Sequence, residues 1–439
     1  MVKSFYIFTM GCQMNEYDSD YLAQSFMNAG ALPAEGPDDA ELVIVNTCSV
    51  REKPEQKAMS QLGRIIRIKN KHPDMIIGAV GCVAQDRGPE LLQRFPGLDF
   101  VMGPRELKRA VEVVEDIEKS SARTVATDLA GLCRPPLVHP GYFSGRVSGY
   151  VSIMEGCNNF CSYCIVPFVR GREVSRPAVD IEAETHSLAS QGVREVTLLG
   201  QNVNSYRFME EEKPVTLSSL LKRIGKINEI WRIRFTTSHP RDLTDDLVEC
   251  FKTVHKLCPH IHLPFQTGSN RILKLMGRGY TREYYLERVE ALRTARPDIA
   301  ITADVMVGFP GESEEDYKMT MDIVEEVEFD GLYSFMYSDR RGTAAEKLAG
   351  KLDRETKAAR LKTLQTIQKE ISHRKNKALE GTVQQVLVEG AGDRPDQQRG
   401  RTATNKVVNF RCKDNRIGEL VDITITHGLM NSLRGCLNE

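Results

Sequence analysis

The chain lacks any apolar run of about 18 residues, the length an α-helix needs to cross a bilayer, so no helical membrane span is expected. The apolar run within Met1–Phe8 is too short for a signal peptide, which leads to the expectation of a cytoplasmic protein. Net charge is also missing. Lys and Arg number 59 against 60 Asp and Glu, so a polyanionic partner would have to be met by a local patch and not by a global field. His239, His260 and His262 show no spacing that suits a paired metal site. Cysteine, by contrast, is plentiful. Eleven cysteines, an odd count, in a reducing compartment are expected to be ligands or buried thiols, not disulfides.

Three of them fall within eight residues, in Gly156-Cys157-Asn158-Asn159-Phe160-Cys161-Ser162-Tyr163-Cys164. A C-x3-C-x2-C run offers three thiolates from one tight loop, and no nearby His or Cys supplies the fourth ligand of a tetrahedral zinc site. Three from one loop suits an iron–sulfur cubane with one iron left open to another ligand. The alternating segment Gly149–Met154 before it reads as the strand that delivers the loop.

Near the N-terminus, Phe5–Thr9, Glu41–Val45 and Met75–Val80 are short apolar runs separated by polar stretches long enough for helices, a β–α–β–α–β pattern with a parallel sheet. Each run leads into a cysteine: Cys12, Cys48 and Cys82. In an open parallel sheet the carboxyl ends of the strands share one edge, so three thiols distant in sequence converge there. A lone cysteine after a strand is more often a small buried hydrophobe. Repetition of the same placement three times makes a second metal cluster the better reading, and the polar residues opening a helix after each thiol would favour its negative charge.

The words Gly11-Cys12-Gln13-Met14-Asn15, Asn46-Thr47-Cys48-Ser49-Val50-Arg51-Glu52-Lys53 and Gly81-Cys82-Val83-Ala84-Gln85, together with the loop Cys157–Cys164, resemble those of the methylthiotransferases, enzymes of the radical S-adenosylmethionine (SAM) class. The resemblance spans nearly the whole chain. It implies two 4Fe-4S clusters, one on Cys12, Cys48 and Cys82 and one on Cys157, Cys161 and Cys164. The second would chelate SAM and cleave it to a 5′-deoxyadenosyl radical. The residues after the first two thiols are similar to those of the branch that methylthiolates C2 of N6-isopentenyladenosine at tRNA position 37, using two SAM molecules. Two other substrates of the family stay open, a threonylcarbamoyladenosine tRNA and a ribosomal-protein aspartate. So does a different class of protein, an iron–sulfur RNA-binding redox sensor without turnover.

At 439 residues and 41% hydrophobic, the chain can bury substantial cores and should divide into about two to four domains. The expected fold class is α/β. An N-terminal parallel α/β domain covers residues 1–118, a linker 119–142, a central partial (βα)6 barrel 143–373, and a small all-β, OB-like TRAM module 376–438. Six strands are expected in the barrel, beginning near Gly149, Glu195, Arg232, His260, Ile299 and Gly331. Polar residues follow them, and by resemblance Gln201, Asn202, Ser238 and Asp304 line the SAM site. Cys133, Cys250, Cys258, Cys412 and Cys436 read as unliganded or packed thiols. From Arg394 to Arg416 lie seven Lys and Arg against two acids, a strip suited to phosphates. Within it Gly400–Lys406 resembles the TRAM signature, making Arg399, Arg401 and Lys406 candidate RNA contacts. The implied partners are tRNA, SAM, a flavodoxin- or ferredoxin-like electron donor and an iron–sulfur or sulfur supplier, with a monomer and no membrane expected.

Overall fold

The computed structural model describes residues 1–49, 52–130 and 134–438. Cys133, and Val50 and Arg51 of the family words, lie outside them. Among the described residues no helix is long and apolar enough to cross a membrane.

The N-terminal sheet holds six parallel strands in the order β2-β1-β3-β4-β5-β6. They are β1 (Ser4–Thr9), β2 (Leu32–Pro33), β3 (Leu42–Thr47), β4 (Ile76–Gly81), β5 (Phe100–Met102) and β6 (Thr124–Ala126). The two central strands, β3 and β4, are buried along their whole length, as continuous apolar runs in a parallel sheet require. Leu42 and Ile44 face a core with Leu22, Phe26 and Val114, while Val43 and Val45 face the opposite core with Leu62, Ile65 and Leu91. Strand β6 lies in the stretch expected to be irregular linker. With only three residues it is too short to show a period, and its pairing with β5 is what defines it.

All six expected strands of the central domain are present. Strand β7 (Ser148–Ser152) and the strands Glu195–Leu199 and Arg232–Phe235 form one parallel sheet, and His260–His262, Ala300–Val307 and Gly331–Met336 form another. An isolated parallel bridge pairs Ile233 with Leu257, three residues before His260, so the wall runs on between the two sheets while its ladder is interrupted at the middle. Alternation sorts the strands. Ile233 and Phe235, and Ala303, Val305 and Val307, are buried under the outer helices. Arg232 and Arg234, and Thr302, Asp304 and Met306, therefore face inward. An antiparallel hairpin, Arg207–Glu210 with Lys213–Thr216, adds to this domain.

The helix Arg354–Lys377 packs Leu364 and Ile371 on the barrel core and leads into a closed five-stranded barrel. Val386, Val388, Val408, Phe410, Ile423, Ile425 and Leu433 fill it. Its strands are Val383–Ala391, Gln397–Thr402, Val407–Arg411, Leu420–Gly428 and Leu433–Leu437.

Candidate active site at the junction of two domains

Cys12, Cys48 and Cys82 follow β1, β3 and β4, three adjacent strands, and so come to one sheet edge. Cys12 is exposed, whereas Cys48 and Cys82 are buried. Two glycines make the approach of these loops feasible. A Cβ on Gly11, at φ +144°, would stand 2.5 Å from the Cys48 Cβ; one on Gly81, at φ +94°, would stand 2.4 Å from the Thr47 carbonyl oxygen. Asn15 and Asn46 then lock the edge, the Asn15 amide donating to Asn46 Oδ1 at 2.9 Å and to the Thr47 carbonyl at 3.1 Å. A hydrogen bond with Cys48 and the charge of Arg170 hold the Cys12 thiol down at about 6, while burial pushes the Cys82 thiol up.

The second thiol loop leaves β7 and the short strand Met154–Glu155. Its Cys164 N–H donates to the Cys161 carbonyl at 2.9 Å and its Cys157 N–H to the Gly171 carbonyl at 3.2 Å, curling the loop so that the three thiols influence one another. Burial raises the Cys157 thiol and pushes Cys164 up to about 12. Buried Arg278 directs Nη1 at the Cys161 sulfur, 3.5 Å away.

The two loops meet through buried charge. Arg170, six residues after Cys164, donates from Nη2 to Asp18 Oδ2 at 2.7 Å. Asp18 Oδ1 accepts from Arg134 at 2.5 Å, and Arg134 Nε donates to Glu155 Oε1 at 3.0 Å. Burial opposes ionisation of Asp18, but Arg170 and Arg134 outweigh it and keep the carboxyl below the usual range.

At the carboxyl ends of the barrel strands three of the four expected SAM residues, Gln201, Asn202 and Ser238, are brought to one rim. Gln201 Oε1 accepts the Gly156 N–H at 2.5 Å, beside the first thiol of the loop. Asn202 donates to Asp242 at 2.7 Å. Gln201 Nε2, Asn202 Oδ1, Ser238 Oγ and His239 Nε2 are all buried without a partner among the described residues, so the rim holds spare donors and acceptors. Burial first, then Arg278 and Arg241, pushes His239 down to about 2 and keeps it neutral. Thr237 and Gln266, at φ +71° and +68°, carry backbone strain beside this rim. Asp304 sits deeper, half-exposed on the inner wall, 3.6 Å from His262 Nε2.

The radical SAM superfamily model matches residues 151–324, the uncharacterized protein family UPF0004 residues 4–103, and the TRAM domain residues 377–437. A tRNA-2-methylthio-N(6)-dimethylallyladenosine synthase of Syntrophus aciditrophicus is 50% identical over 99% of this chain and 94% of its own length. One from Geobacter sulfurreducens is 46% identical over 99% and 97%. The chain belongs to the tRNA-2-methylthio-N(6)-dimethylallyladenosine synthase family. Among solved structures, the radical S-adenosylmethionine methyltransferase TsrM from Kitasatospora setae overlays 79% of this chain and 77% of its own with TM-score 0.58 at 15% identity, a likeness of fold.

In this synthase-family chain the TRAM signature does something that its sequence did not announce. The guanidinium of Arg232 donates to the carbonyls of Arg401 and Gln385 at 2.7 and 2.9 Å, and that of Arg234 to those of Ala403 and Thr402, both at 2.9 Å. Lys406 pairs with Asp330 at 3.1 Å and Asn376 at 2.9 Å, and Arg401 with Glu389 at 3.1 Å. The stretch Gly400–Lys406 thus docks on the amino-terminal floor of the barrel. Of the three candidate RNA contacts, Arg399 is exposed on the outer face, while Arg401 and Lys406 are engaged within the molecule. The outer face carries more. Ladder register sets Arg399 beside Asn409 and Asn409 beside Arg434, with Arg411 two residues along on the same side. Arg434, like Asp18, Arg134, Arg170 and Arg278, has no motif in the sequence to single it out.

Proposed function

We propose that this chain is a tRNA methylthiotransferase that attaches a methylthio group to C2 of N6-isopentenyladenosine at position 37, with two SAM molecules consumed per product. The observation that carries the reading is that two thiol triads, one per domain, are tied together by the buried Asp18–Arg170 pair, whose members lie six residues after Cys12 and six after Cys164. Among the described residues no His, Cys, Asp or Glu group is spaced for a single metal ion. A cubane is held at its corners, so its ligands stand farther apart, and all-thiol donor sets fit iron–sulfur better than a hard cation. Cys157, Cys161 and Cys164 would hold one 4Fe-4S cluster and Cys12, Cys48 and Cys82 the other. When bound, the first supplies the electron that cleaves SAM and the second the sulfur.

The chain's own residues then bind and orient. The spare polar atoms of Gln201, Asn202 and Ser238 suit the amino, carboxylate and hydroxyl groups of SAM. Asn15 and Asn46 fix the edge that carries the sulfur-side thiols. The inner wall formed by Met306, Tyr333 and Phe335 is apolar, and Asp304 stands opposite Tyr333 in the ladder. An isopentenyl group is accommodated by that wall, whereas the carboxylate of a threonylcarbamoyl group would meet the negative charge of Asp304. We place the enzyme in the cytoplasm as a monomer served by a flavodoxin- or ferredoxin-like donor.

The test is to give the reconstituted enzyme, SAM and a reductant under anaerobic conditions three tRNAs bearing isopentenyl-, threonylcarbamoyl- or unmodified adenosine, and to digest each for mass spectrometry. Methylthiolation of the isopentenyl tRNA is expected. Preference for the threonylcarbamoyl tRNA would overturn the substrate.

A further inference from the structure

Each thiol triad has a buried arginine against it, and the two differ in one respect. Arg278 is satisfied: Nη1 reaches the Cys161 sulfur at 3.5 Å and Nη2 donates to the Pro264 carbonyl at 2.8 Å. Arg170 is not. Its residue is 3% exposed, Nη2 is held by Asp18, and Nη1 is buried with no nitrogen or oxygen acceptor among the described residues, the remaining neighbour of the guanidinium being the Cys82 thiol. A buried guanidinium N–H left without a partner costs free energy that the fold must offset elsewhere.

The direction of that N–H is informative. The charge of Arg170 acts on the thiols of both Cys12 and Cys82. Cys82 also packs with Ile165 and Val169, the turn that ends at Arg170. The backbone there is fixed independently: Arg105, itself buried, donates from Nε to the Arg170 carbonyl at 3.0 Å, from Nη1 to the Leu129 carbonyl at 2.9 Å, and also to the Arg172 carbonyl. Asp18 belongs to the helix Gln13–Asn28 that starts directly after Cys12. The guanidinium is therefore held between Asp18 on one side and the thiol of Cys82, a member of the N-terminal triad, on the other.

We propose that Arg170 is a non-ligating partner of that group, donating Nη1–H to one of its sulfur atoms, with Asp18 setting the angle of the donor. The inference rests on the two-cluster reading given under Proposed function. A hydrogen bond and a positive charge at a cluster sulfur raise the reduction potential, and their loss lowers it. Because Arg170 comes from the barrel's own thiol loop, the second domain supplies part of the electrostatic setting of the first.

The experiment uses the full-length chain with Cys157, Cys161 and Cys164 replaced by Ala, so that the N-terminal cluster alone reports. Its midpoint potential and electron paramagnetic resonance spectrum are compared with and without Arg170→Met and Arg170→Lys, at matched iron and sulfide content. Arg170→Met should shift the potential negative with iron retained, and Arg170→Lys should restore part of the shift. Arg170→Gln, which keeps an N–H donor but no charge, should shift it negative by less than Arg170→Met and decides the matter if Arg170→Met does not load. Loaded variants with unchanged potentials would overturn the role of Arg170. A protein with all three N-terminal thiols intact that binds no cluster would instead overturn the two-cluster reading.

Discussion

The guanidinium of Arg234 donates to the carbonyl oxygen of Thr402 at 2.9 Å, joining the floor of the barrel to the C-terminal module. Arg234 also pairs with buried Glu195 at 2.9 Å, so the contact is part of a desolvated network. Breaking one partner of a buried pair costs about 3–5 kcal/mol, because the other charge stays behind. The Arg232→Ala, Arg234→Ala double variant should lose stability on that scale. Amide hydrogen exchange across residues 400–406 should rise sharply while the loop Cys157–Cys164 keeps its protection. Unchanged exchange at 400–406 would mean that the module is held by other interactions.

Exposure separates the basic residues of the C-terminal module into two groups. Arg399, Arg411 and Arg434 lie on one outer face, whereas Lys406 is turned to Asp330. Replacing each of the three by Ala should weaken tRNA binding and lower the salt slope by about one unit for each phosphate that is no longer neutralised. Lys406→Ala should loosen the domain interface and leave the slope unaltered. A titration of affinity against salt, variant by variant, distinguishes the two effects.

Asp330 couples the same interface to pH. Burial opposes its ionisation, but Lys375 and Lys406, at 2.7 and 3.1 Å, outweigh it and hold the carboxyl below its ordinary value. The stabilisation is fully present above the unfolded carboxylate value of about 3.9 and is lost as pH falls through the lower folded value. Thermal melts of wild type and Asp330→Asn should therefore differ most above about pH 4 and converge in stronger acid. A constant gap across that range would contradict the assignment.

Gly11 tests the convergence of the N-terminal thiols. A Cβ there would collide with Cys48 and with Asn15 Oδ1. Gly11→Ala should lose about half of the bound iron after reconstitution, and Gly30→Ala, which at φ +92° carries comparable backbone strain but has nothing within 4 Å, serves as the control. Equal iron in the two proteins would show that the loop has room to move.

Much of this arrangement was legible beforehand. Cys12, Cys48 and Cys82 could be placed together because continuous apolar runs mark parallel strands and each run ends in the same residue. The six barrel strands were visible for the same reason. What was hidden depends on partners far apart in the chain. Asp18 and Arg170 are 152 residues apart, and an isolated Arg or Asp has no period or motif. Strand β6 exists through its pairing with β5, and the hairpin from Arg207 to Thr216 is too rich in charge to read as strand. The basic strip looked like one RNA-facing surface because sequence records charge without direction. Strand alternation turns Arg399 outward, and the turn before Val407 hands Lys406 to Asp330.

The division of labour between the two thiol triads is tested most directly by one measurement. Cys12, Cys48 and Cys82 are replaced together by Ala, and 5′-deoxyadenosine and methylthiolated adenosine are quantified in the same anaerobic reaction with isopentenylated tRNA. The triple variant should still release 5′-deoxyadenosine, should hold about half the iron of the wild type, and should attach no sulfur. Methylthiolated product at the wild-type level would contradict the account, since the three N-terminal thiols would then be packing residues alone.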